Sequence, residues 1–93
     1  MSTTAPLTHR DRLVYAATRL SADVRTADPA CPVGPALDTL ALSATDGTPG
    51  ELHAEARAVL DTLGACPGAE GCPARAGARE LMVRVVATVA QEA

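Results

Sequence analysis

Phenylalanine, tryptophan, isoleucine, lysine and asparagine are absent from this chain, and Tyr15 is its only aromatic residue. With no aromatic side chains to stack on bases and a net charge of −3, nucleic-acid binding is disfavoured. No apolar run approaches the ~20 residues that a membrane span requires. The chain also lacks a P-loop, a nucleophile elbow and a dinucleotide-binding fingerprint. The sequence therefore predicts neither an enzyme nor a membrane-spanning protein.

The apolar residues that are present are mostly small. Of 93 residues, 20 are alanine, 10 leucine and 8 valine. Alanine favours helix but buries little area, so we expect closely packed helices and a modest free energy of unfolding. Self-association would bury further apolar surface and stabilise the fold. All eight basic residues are arginine, which is typical of a GC-rich bacterial coding genome. The N-terminal residues show no secretory signal, so we expect a cytoplasmic protein with reduced thiols.

Helix signals divide the chain into four segments after a flexible tail at residues 1–7. Thr8 and Asp11 approximate a capping box, and apolar residues at steps of three and four predict a helix over 9–27. The turn-rich segment 28–35 then leads to a short helix over 35–45, with Pro35 at its first position. Thr48 and Glu51 form a second capping box for a helix over 49–63, which Gly64 ends.

A fourth helix is predicted from Pro73 onward. Gly77 weakens its first turns by roughly 1 kcal/mol relative to alanine, unless a neighbouring backbone approaches closely there. Residues Leu81 to Ala90 are apolar on most of the helix circumference, so we expect this segment to be buried on several sides as a central helix. Short connections favour antiparallel neighbours, and residues 8–93 thus form one all-α domain, a small up-down four-helix bundle with a short second helix.

This topology places all three cysteines, each followed by proline, at one end of the bundle: Cys31, Cys66 and Cys72. His9 and His53 fall at the other end as solvated side chains, which excludes a Cys3His zinc site within one chain. We therefore predict no cofactor and no metal ion.

Four interpretations of the cysteines remain: small semi-buried residues, a disulfide, a thiol switch near a helix N-terminus, or thiolate ligation of haem or another soft metal. Haem ligation is considered because the three Cys-Pro pairs resemble those of haem-responsive regulatory segments. The resemblance covers only the dipeptides themselves.

The leading functional hypothesis is a small regulatory or protein–protein interaction module, self-associating or binding another protein through an apolar helix face. Four residues are candidates for that face: Val14, Leu42, Met82 and Val86. The alternative is a redox- or metal-responsive regulator that uses Cys31, Cys66 and Cys72. A weaker third option is contact with nucleic acid through the arginines of the first helix, which would depend on salt.

Overall fold

A computed structural model describes residues 8–65 and 73–92, which form four helices and no strand. The helices are α1 (His9–Ala27), α2 (Val33–Asp46), α3 (Pro49–Ala65) and α4 (Pro73–Glu92). The predicted all-α class is thereby confirmed. The predicted tail, residues 1–7, lies outside the described residues. None of the described helices has the length and hydropathy of a membrane-spanning helix.

Local signals set most of the helix ends. The Thr8 hydroxyl accepts the backbone N–H of Asp11 at 3.0 Å, and the Asp11 carboxylate accepts that of Thr8 at 3.1 Å, which completes the predicted capping box. The Thr48 hydroxyl likewise accepts the N–H of Glu51 at 3.1 Å. The Glu51 carboxylate, however, accepts a hydrogen bond from the Thr48 hydroxyl at 3.3 Å, so this second cap departs from the predicted reciprocal box.

Two predicted boundaries are wrong by two residues. Helix α2 begins at Val33, which makes Pro35 its third residue. A proline is tolerated there because the first N–H groups of a helix have no intrahelical acceptor. Helix α3 continues through Gly64 to Ala65. Glycine weakens a helix without ending it when the backbone keeps helical geometry.

Each helix is antiparallel to its neighbours, and the four close into a ring in which α1 contacts α2 and α4, and α3 contacts the same two helices. The largest fully buried side chains are leucines from α1, α2 and α3. The α1–α4 contact is close at Gly77, where an added Cβ would lie 2.6 Å from Cδ1 of Leu20. The expected close approach is therefore real, but it involves a side chain and not a backbone.

Helix α4 is not the predicted central helix. Its buried residues form one stripe with steps of four and three: Ala74, Ala78, Leu81, Val85 and Thr88. Val83 and Val86 are 63% and 67% exposed. The polar residue Thr88 is fully buried, and its hydroxyl donates to the Arg84 carbonyl at 2.7 Å. A ring of four helices covers only one side of each, whatever the composition of the other side.

Candidate functional site

The structure separates the four residues that were predicted to form an interaction face. Met82 and Val86 both line a groove between α3 and α4. Val14 is half-buried on α1 and packs against the core. Leu42 is 71% exposed on α2. Neither Val14 nor Leu42 lines the α3/α4 groove, so only the two α4 residues share a surface there.

The α3/α4 groove is an open cleft of about 570 Å³ with a mainly apolar lining. Two exposed apolar residues of the groove were not among those predicted for an interaction face. Leu60, on the predicted helix over 49–63, is 46% exposed, and Val83, expected to be buried within the central helix, is 63% exposed. Their register does contain a signal, since Val83 lies three residues before Val86 on the same side of α4. The apolar lining consists of Leu60, Leu63, Ala78, Met82, Val83 and Val86.

The groove is open because α4 carries more apolar residues than one buried stripe holds. The stripe through Leu81 and Val85 packs against the other helices. Met82 and Val86 lie on the α3 side of that stripe and line the groove with residues of α3. Val83 lies farther round the helix, where it also lines a smaller pocket with His9 and Arg12 of α1. Contiguous exposed apolar surface of this kind marks interaction sites in soluble proteins.

Among the residues that the structure describes, Arg75 and Arg79 are the charged residues that line the α3/α4 groove. Among the described residues, neither forms an ion pair with a carboxylate. Both lie near the N-terminus of α4, whose first turn has no acidic residue. The partial positive charge of the helix N-terminus adds to that of the two guanidinium groups. One end of an otherwise apolar groove is therefore positive.

A second groove of about 470 Å³ runs between α1 and α4. Its lining includes Arg19 and Asp23 from α1 and Glu80 and Arg84 from α4, so both signs of charge are present. Arg84 pairs with Glu80 at 3.2 Å, and Arg19 donates to the Tyr15 hydroxyl at 3.1 Å. Arg84, Glu80 and Arg19 thus have side-chain partners within the chain, and the lining carries both signs of charge, which distinguishes this groove from the α3/α4 groove.

Cys31 lies in the connection between α1 and α2 and is only 6% exposed. Its backbone N–H donates to the Asp28 carbonyl at 3.0 Å, and its carbonyl accepts from Gly34 at 3.2 Å. Cys66 and Cys72 lie outside the described residues, so the predicted gathering of three thiols stays a prediction.

Both histidines lie on the surface of the described helices. His9 and His53 are both exposed, as expected for solvated residues in first turns. Within residues 8–65 and 73–92, no group of three or more His, Cys, Asp or Glu side chains is placed to hold a metal ion.

Comparison with known proteins gives no family assignment. The chain matches no family model, and neither the curated proteins nor the solved structures contain a significant match. Functional inference therefore depends on the grooves and their charges.

Proposed function

We propose that this chain is a protein–protein interaction module whose α3/α4 groove receives apolar side chains of another polypeptide. The observation that carries the proposal is the contiguous exposure of Leu60, Val83 and Val86 along one groove. Burial of apolar surface is favourable by about 25 cal/mol per Å². Covering these three large apolar side chains with another polypeptide therefore lowers the free energy of the system.

The composition supports the same proposal. The buried core consists mainly of leucine, valine and alanine, and each residue of this kind contributes less buried area than an aromatic residue would. A bound partner stabilises the folded state through its binding free energy. Self-association fits this reasoning, because a second copy is one polypeptide able to cover the groove.

Site-specific photo-crosslinking tests the proposal. A photoreactive amino acid replaces Val86 in the groove, and a matched variant carries it at Ala22, an exposed residue of α1. We expect a crosslinked protein, identified by mass spectrometry, from position 86 and not from position 22. An adduct of two 9.4 kDa chains identifies a second copy, and any other mass identifies a different protein. No adduct from position 86, or the same adducts from both positions, would overturn the proposal.

A further inference from the structure

We infer that the α3/α4 groove binds an amphipathic helix of another protein, with acidic side chains placed against Arg75 and Arg79. This inference rests on the proposed function and names the chemistry of the partner. Three features of the groove lead to it: its length, the pairing of its backbone groups, and the sign of its charges.

The dimensions of the groove suit a short helix. Its lining on α4 extends from Arg75 to Val86, which is about 16 Å at the helical rise of 1.5 Å per residue. That length accommodates about three helical turns. On the other side, Leu60 and Leu63 of α3 lie one turn apart and complete the apolar cleft. A helix seated between two antiparallel helices repeats the packing that the bundle already uses.

A helix also fits better than an extended segment. Both walls of the groove are α-helices, whose backbone N–H and C=O groups are bonded within each helix. An extended segment would find no backbone partners there, and its own polar groups would lose hydration without compensation. A helix satisfies its backbone internally and presents apolar side chains at steps of three and four.

The charges of the groove select acidic side chains in the partner. Arg75 and Arg79 lie four residues apart on α4, so their guanidinium groups repel each other, and the helix N-terminus adds positive charge. The chain as a whole has a net charge of −3, so this end of the groove is a local exception. A carboxylate placed there relieves the repulsion and complements the helix dipole.

A second copy of the chain fits this charge pattern less well. A two-fold contact presents the same surface on both sides. Among the described residues, none that lines the groove is acidic, so the described parts of two facing grooves bring four arginines and no carboxylate. A different protein that supplies carboxylates would neutralise the arginines of the groove.

Two designed peptides of about three helical turns test the inference. Both carry the same leucine face, and one has glutamate where the other has lysine, on the flank that meets the arginines. Fluorescence anisotropy measures their affinity for the full chain. We expect the glutamate peptide to bind roughly tenfold more tightly at low salt, and the ratio to shrink at high salt.

Charge-reversal variants show which arginines cause the preference for the glutamate peptide. The double variant R75E/R79E should prefer the lysine peptide, whereas the control variant R19E, altered at an exposed arginine of α1 that does not line the α3/α4 groove, should keep the wild-type preference. V83S/V86S should weaken the binding of both peptides. Circular dichroism establishes that each variant retains the wild-type helix content.

The outcomes separate this inference from the proposed function. Equal affinity for the two peptides overturns the acidic partner but leaves the apolar groove as a binding site. If neither peptide binds and position 86 crosslinks to a second copy, the inference fails and the proposed function stands. If neither peptide binds and position 86 gives no adduct, both fail.

Discussion

Arg10 and Glu92, at opposite ends of the described chain, form a two-point ion pair. Arg10 Nε lies 2.6 Å from Glu92 Oε2, and Nη2 lies 2.8 Å from Oε1. The same guanidinium also donates to the carbonyl oxygens of Ser43, Ala44 and Gly47 at 3.3, 3.2 and 2.6 Å. One side chain thus joins the first turn of α1 to the last turns of α2 and α4.

This ion pair predicts a pH-dependent contribution to stability. The hydrogen bond from Arg10, and then its positive charge, lower the pKa of Glu92 below its usual 4.5. The stabilisation is therefore complete above the unfolded-state pKa and is lost as pH falls through the lower folded-state pKa. We expect wild type to exceed Glu92→Gln in urea stability at neutral pH, with the difference shrinking between neutral and acid pH as the Glu92 carboxylate is protonated. A constant difference across that range would contradict the ion pair.

Substitution of Arg10 should cost more than substitution of Glu92. Arg10→Ala removes the donors of three carbonyl groups at the end of α2 as well as the ion pair, so we expect a loss of about 1–3 kcal/mol of unfolding free energy. Arg57→Ala is the matched control, because Arg57 is exposed and forms no hydrogen bond or ion pair among the described residues. Equal urea midpoints for the two variants would show that the Arg10 contacts do not stabilise the fold.

The effects of substitutions at Gly77 and Leu20 on the free energy of unfolding should depend on each other. Alanine stabilises a helix interior by about 1 kcal/mol over glycine. At position 77, however, the added methyl group would lie 2.6 and 3.0 Å from the two terminal carbons of Leu20. We expect Gly77→Ala to give little or no gain in wild type, but a gain of about 1 kcal/mol in the Leu20→Ala background.

The control for that coupling is Gly64→Ala, where nothing lies within 4 Å of the added carbon. It should stabilise the protein by about 0.5–1 kcal/mol in both backgrounds. Thermal or urea unfolding of the single and double variants gives the coupling free energy. The same gain from Gly77→Ala in both backgrounds would mean that Leu20 moves aside without cost.

Neighbouring valines of α4 should differ sharply in their effect on stability. Val86 is 67% exposed and Val85 only 3%. Serine and valine have similar helix propensities, so Val86→Ser should change the unfolding free energy by less than about 0.5 kcal/mol while it weakens partner binding. Val85→Ala should cost about 1–3 kcal/mol. Similar losses from both substitutions in urea unfolding would place Val86 in the core.

The thiol of Cys31 should be protected from reagents in solution. In the variant Cys66→Ser/Cys72→Ser, only Cys31 remains, and its burial predicts a reaction with a thiol reagent roughly tenfold slower in the folded protein than in urea. Equal rates would contradict that burial. The alternative hypothesis of a redox-responsive regulator instead predicts that reductant changes the thiol count of the wild-type chain.

The sequence was sufficient to predict the fold class and most helix ends. Thr8, Thr48, Pro29 and Pro73 act within a few residues, so capping and steric rules predict their effects without knowledge of the rest of the chain. The three- and four-residue spacing of apolar residues also agrees with the inward faces of the helices, on which Leu13, Leu37 and Leu52 are fully buried, because residues three and four apart share one side of a helix.

Tertiary structure alone decided which side of α4 is buried and what Arg10 contacts. Apolar residues cover most of the circumference of α4, so its periodicity does not select one face, and the side that meets α1 and α3 is fixed only when the helices pack. Arg10 resembled the other arginines of a solvated face, and its acceptors lie 33 to 82 residues away in the sequence. The rotation of each helix about its own axis determines these contacts, as it determines the α3/α4 groove, and no local pattern encodes that rotation.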